Sequence, residues 1–162
     1  MPTRTNSAAG LEDPLALEHQ VCFALSIAAR NVVAVYRPLL EPMGLTHPQY
    51  LVMLALWQHE PVSVRELSTL LQLDPGTLSP LLKRLESSGL LLRGRDKRDE
   101  RALAVTLTEK GRLLRKEAER IPPAVVAKLG MDPEELRALH ASLTRVIHVA
   151  QRALTAEGRT TT

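Results

Sequence analysis

At 162 residues the chain has the length of one domain, or of one domain carrying extra helices. Its 44% hydrophobic and 24% charged residues include no apolar run near the ~18 residues that a membrane span requires. Met1 to Gly10 has no apolar core, so a signal peptide is not expected and a cytoplasmic protein without membrane attachment is. Four aromatic residues against thirty leucines favour Leu-packed helices over a β-sandwich. One cysteine, Cys22, rules out an intrachain disulfide and a multi-cysteine zinc site, and no cofactor is expected. The net charge of +3 is local: from Lys83 to Arg101 seven bases face four acids, and the rest is close to neutral. A basic excess concentrated in this way points to phosphate binding.

In chain order, residues 1–14 read as a polar tail. Leu15 to Tyr36 carries a helical apolar stripe at Val21, Leu25, Ala28, Val32 and Val35/Tyr36, broken afterwards by Pro38, Pro42 and Gly44. Thr46 and Gln49 form a capping-box pair ahead of the apolar run Tyr50 to Trp57, which ends before Pro61. Ser63 to Glu66 is a second capping box and opens a short helix, Val64 to Leu71, with Leu67, Leu70 and Leu71 expected on its inner face. After the tight link Gln72-Leu73, Asp74 is an N-cap and Pro75 a first helical residue. That helix runs to about Ser88 and stops at Gly89.

Leu90 to Arg93 and Leu103 to Leu107 read as two strands around a charged tip, residues 94–102. A long helix is expected from Thr108 to about Lys128, interrupted at Pro122-Pro123 and closed by Gly130. Asp132 to Glu135 caps a last helix with Leu136, Leu139, Leu143, Val146/Ile147 and Ala150 on one face; residues 155–162 are a polar tail.

A short helix, a tight turn, a second helix and a basic hairpin form the layout of a winged helix-turn-helix, in a mainly α fold with one small β-hairpin. A helix opening at Asp74-Pro75 can lie in the major groove of DNA with its first turns against base edges. Gly76, Thr77 and Ser79 allow close backbone approach and hydroxyl contacts, while Lys83 and Arg84 can hold phosphates or read guanine. Arg93 and the hairpin tip, with Arg95, Arg98 and Arg101, can reach phosphates or the minor groove, whose negative potential attracts arginine. Pro80 removes a hydrogen bond inside the second helix, which marks either a functional position or a tolerated kink.

The outer apolar stripes suit an intertwined homodimer, whose two-fold symmetry would place the reading helices about one DNA turn apart on a pseudo-palindromic operator. The expected division is thus a tail (1–14), an N-terminal dimerisation helix and linker (15–45), a DNA-binding domain (46–108), C-terminal dimerisation helices (109–154) and a tail (155–162).

Leu107 to Gly111, following a hairpin with Asp99-Glu100-Arg101, resembles the MarR family of dimeric bacterial regulators. Gln20 to Leu25, Tyr36 to Leu40, Leu45 to Val52 and Leu73 to Glu86 resemble its organic-hydroperoxide sensors, the OhrR type, across roughly Leu17 to Leu154. The resemblance implies a DNA-binding repressor, not an enzyme, that senses organic hydroperoxide through Cys22 and then releases its operator. With one cysteine it is similar to the subgroup whose sulfenate passes to a mixed disulfide with a low-molecular-weight thiol or is over-oxidised.

The resemblance also implies that Tyr36 of the partner subunit hydrogen-bonds the Cys22 sulfur, and that Asp99 orients Arg101 for the minor groove. Two positions depart from the family: Ser26 and His47 stand where tyrosine is frequent, which alters the sulfur's hydrogen-bond network. His47 can substitute in that network or simply support the helix cap, and Tyr50 either lines the pocket or fills core. A repressor released by a small aromatic ligand is the alternative. A thiol peroxidase is disfavoured, because no resolving cysteine and no peroxidatic Thr or Arg accompanies Cys22.

Overall fold

The computed structural model describes residues 13–95 and 103–157. Among these residues seven α-helices and three strands follow in the order α1 (Val21–Leu40), α2 (His47–His59), β1 (Val62–Ser63), α3 (Val64–Leu71), α4 (Pro75–Ser87), β2 (Leu91–Arg95), β3 (Leu103–Leu107), α5 (Glu109–Ala118), α6 (Ile121–Leu129) and α7 (Pro133–Glu157).

The winged unit forms where its local signals are strongest. Thr46 caps α2 and Ser63 caps α3, each with both reciprocal hydrogen bonds of a capping box. Gln72 turns the chain between α3 and α4 with φ 52°. The sheet has three antiparallel strands in the order β1-β3-β2, with Val62 opposite Val105 and Leu91 opposite Leu107. Helix α2 runs through the centre: Tyr50, Val52, Met53, Ala55 and Leu56 are buried and meet Leu67, Leu78, Leu82, Leu85, Leu91 and Ile121. Truncating any of the fully buried leucines to alanine costs about 2–5 kcal/mol.

Several boundaries differ from the sequence expectation. Helix α1 begins only at Val21, after a 3-10 turn at Leu17–His19, and continues through Pro38 to Leu40. Pro38 forfeits one backbone bond, but the turn that carries it buries Leu40 completely, and the chain breaks instead at Gly44 with φ 66°. The predicted long helix is two helices: α5 ends at Ala118, and Pro122 and Pro123 occupy the first turn of α6, where a missing N–H costs nothing. Strand β1 is an addition to the predicted hairpin, and Leu70 faces outward, 46% exposed.

The outer helices are underpacked. Only Leu40 of α1 is buried, while Leu139, Leu143, Val146 and Ile147 of α7 are all exposed. The segment Val21–Met43 is in fact long and apolar enough, by length and composition, to cross a bilayer, with mean hydropathy 1.2. The expectation of no such run missed it because Arg30, Asn31 and Arg37 interrupt the stretch without lowering its mean enough.

Candidate nucleic-acid interface and cysteine site

The start of α4 is built by Asp74. Its Oδ1 accepts the Thr77 backbone N–H at 3.0 Å and its Oδ2 the Thr77 hydroxyl at 2.6 Å. These bonds, the hydroxyl's first, hold the Asp74 carboxyl below the usual carboxylate range. A side chain at Gly76 would place its Cβ 3.0 Å from Asp74 Oδ1, so glycine keeps the cap intact as well as the surface low. Leu78, Leu82 and Leu85 point into the core. That leaves Gly76, Thr77, Ser79, Pro80, Lys83 and Arg84 together on the exposed face. Helix α4 runs through Pro80 without a break.

The hairpin is pinned to that helix. Arg93 donates from Nε and Nη2 to Glu86 Oε2 at 3.0 and 2.7 Å, and its backbone N–H donates to Oε1 at 3.2 Å. The guanidinium's hydrogen bonds hold the Glu86 carboxyl low. Arg93, expected to contact DNA, is therefore engaged with the reading helix. Arg95, at the end of β2, is exposed. Arg98, Asp99 and Arg101 lie outside the described residues.

Two further anchors escape a reading of the sequence. Glu60 accepts the Leu107 N–H at 2.7 Å and a two-point pair from Arg112 at 2.8 and 3.0 Å, tying the end of α2 to β3 and α5. Trp57 Nε1 donates to the Gly111 carbonyl at 2.9 Å. A Cβ at Gly111 would sit 2.1 Å from the Leu90 carbonyl oxygen, so only glycine fits where α5 crosses the bend that precedes β2.

At the other end of α2, Tyr36 meets His47 edge-on with ring centres 5.0 Å apart, and Tyr50 at 5.9 Å. Burial lowers the His47 pKa below its ordinary value, favouring the neutral imidazole; burial, then the neighbouring Tyr36, raises that of Tyr50. Beside them lies a cleft of about 500 Å³, lined by Val33, Arg37, Glu41, Leu45, His47 and Pro48 among others.

Cys22 is exposed in the first turn of α1. At ~1.5 Å per residue it lies about 21 Å along the helix from Tyr36. Three of the expected pocket residues thus cluster, while Cys22 and Ser26 sit apart from them. The Ser26 hydroxyl donates to the Cys22 carbonyl at 2.8 Å, so its one proton is used by the backbone. No group of three His, Cys, Asp or Glu side chains suited to a metal occurs among the described residues.

Comparison with known proteins agrees with this layout. Residues 34–118 match the family model described as transcriptional regulator SarA/Rot. The chain is 48% identical to the HTH-type transcriptional regulator TtmR of Methylorubrum extorquens, over 82% of this chain and 68% of TtmR. It is 41% identical to the organic hydroperoxide resistance transcriptional regulator of Bacillus subtilis, over 81% of this chain and 89% of that protein. Among solved structures, overoxidized AbfR bound to DNA superposes with a TM-score of 0.67 at 32% identity, covering 83% of this chain and 94% of AbfR. CouR from Rhodococcus jostii bound to p-coumaroyl-CoA superposes with a TM-score of 0.70 at 27% identity, covering 82% of this chain and 94% of CouR.

Proposed function

This chain belongs to the MarR family of winged-helix transcription regulators, and we propose that it is a homodimeric repressor that releases its operator when an organic hydroperoxide oxidises Cys22. The observation that carries this reading is the pairing of one exposed thiol in the first turn of α1 with a Tyr36–His47–Tyr50 cluster at the opposite end of the same helix. One subunit cannot bring them together. Two α1 helices crossing antiparallel about the small residue Ala29 set position 22 of each opposite position 36 of the other, seven residues either side of the crossing. The exposed apolar faces of α1 and α7 supply the surface for such a dimer, since patches of this kind mark interfaces. The likeness to the Bacillus regulator and to AbfR supports the redox reading.

In the reaction, the Cys22 thiolate attacks the terminal oxygen of the hydroperoxide. The O–O bond breaks, sulfur gains OH and becomes a sulfenic acid, and the alkoxide leaves and takes a proton as the alcohol. Sulfur loses two electrons and the peroxide gains them. A low-molecular-weight thiol then displaces water to give a mixed disulfide. The hydroxyl of Tyr36 from the partner subunit hydrogen-bonds the reacting sulfur. On DNA, α4 enters the major groove with Gly76, Thr77 and Ser79 leading and Lys83 and Arg84 on phosphates; Arg95, Arg98 and Arg101 reach beside it, the last oriented by Asp99. In this reading the protein works in the cytoplasm, at a pseudo-palindromic operator.

The test is a gel-shift titration with cumene hydroperoxide, read with intact mass. Wild type should release operator as its mass rises by one oxygen, and Cys22→Ser should bind normally and never let go. A Cys22→Ser protein that still releases with peroxide overturns the redox reading. The second reading, release by a small aromatic ligand, draws on the cleft beside His47 and on the likeness to ligand-bound CouR. Release of Cys22→Ser by a phenolic acid would establish it.

A further inference from the structure

We infer that Arg37 makes this a sensor selective for carboxylate-bearing hydroperoxides, by seating the anion in the cleft between α1 and the turn from Gly44 to Pro48 while the apolar chain lies along Val33, Leu45 and Pro48. This rests on the hydroperoxide reading and adds a specificity to it. The cleft, about 500 Å³, is of the size that binds small ligands. Its wall sets apolar Val33, Leu45 and Pro48 beside Glu41, Thr46 and His47, and its one permanent cation is Arg37. No carboxylate among the described residues forms an ion pair with that guanidinium, although Glu41 lines the same cleft one turn along. An arginine fork presents two parallel donors to a carboxylate, a geometry that a neutral ester cannot match in strength.

The placement also suits the chemistry. Cys22, Ser26, Ala29, Val33 and Arg37 recur at helical spacing, so the thiol and the cleft share one side of α1. In the crossed dimer the sulfur of one subunit therefore approaches the Tyr36–His47 end of the other, where the cleft opens. A chain anchored by its anion at Arg37 is held for reaction at a peroxide farther along it. A cation in the last turn of a helix also satisfies the helix dipole, and that role alone would make no distinction between an acid and its ester.

The experiment compares linoleic acid hydroperoxide with its methyl ester on the full-length dimer, measuring the rate of Cys22 sulfenate formation by quenched-flow mass spectrometry. Wild type should react with the acid about tenfold faster than with the ester, the scale of one charge-assisted pair. Arg37→Gln should collapse that ratio to within about twofold, Arg37→Lys should keep part of it, and Glu41→Gln should raise it, as expected for a like charge removed. Equal rates for acid and ester in wild type, or a ratio that survives in Arg37→Gln, overturn the inference. If neither peroxide oxidises Cys22, the sensing reading itself fails, and calorimetry with decanoate, which involves no oxidation, decides the cleft separately. Binding weakened about tenfold by Arg37→Gln sustains the anion seat, and binding indifferent to it sinks the seat as well.

Discussion

Single side chains carry more of this protein than its small number of aromatic or unusual residues implies. Gly111 is the sharpest case, because the Leu90 carbonyl oxygen occupies the space a Cβ needs. Gly111→Ala should cost about 3 kcal/mol, the upper part of the overpacking range, seen as a lower urea midpoint with an unchanged slope. His47 gives a pH dependence with a definite sign. Burial depresses its pKa below the ordinary 6.5, so the folded chain takes up a proton less readily than the unfolded one. The stability that neutral His47 allows is therefore complete above pH 6.5 and drains away as the pH falls toward the folded value. Thermal unfolding followed from pH 7.5 down to 5 should show that loss in wild type and a flatter profile in His47→Gln; parallel profiles would refute it.

Elements defined by their own caps were legible in the sequence. The starts of α3 and α4 are legible at Ser63 and at Asp74-Pro75, because each is a side chain bonding the adjacent backbone, and α3 ends at Leu71 as its pattern predicts. The same local rules failed where distant packing decides. Pro38 has the sequence signature of a breaker, yet burial of Leu40 carries α1 past it; β1 has two residues and exists only because β3 lies alongside. The binding surface was legible as a set of residue types, not as a division of labour. Arg93 and Arg95 look equivalent in the sequence, but one is held by Glu86 and the other is open. Arg95→Ala should therefore flatten the slope of log Kd against log salt by about 1, whereas Arg93→Ala should leave it within about 0.3, as expected if only the former displaces counterions. Equal slope changes for the two would mean that the Glu86 pair opens on DNA.

For the whole molecule, the imbalance between a well-filled winged core and two bare apolar helices is the dominant fact. No residue of α7 is buried among the described residues, and its exposed leucines are spaced to meet another helix. Leu143→Glu should convert the proposed dimer to a monomer in sedimentation velocity and weaken binding to a full palindrome by about a hundredfold, since paired half-sites lose their mutual effective concentration. A dimer that tolerates the glutamate would place the interface elsewhere. The tyrosine cluster and the thiol were each legible as residues, but their distance apart was not, and that separation is what makes a second subunit necessary for the proposed chemistry.

Helix α2 has one more consequence. Its first turn carries His47 and Tyr50, and the residue that closes its last turn, Glu60, grips the root of the hairpin. Thirteen residues of α-helix form a stiff rod of about 20 Å. Such a rod has no joint in which a displacement at one end can be absorbed. A tilt of a few degrees near the tyrosines would swing the Glu60 end, and the hairpin tied to it, by about an ångström, enough to spoil the joint fit of the two reading heads in the proposed dimer.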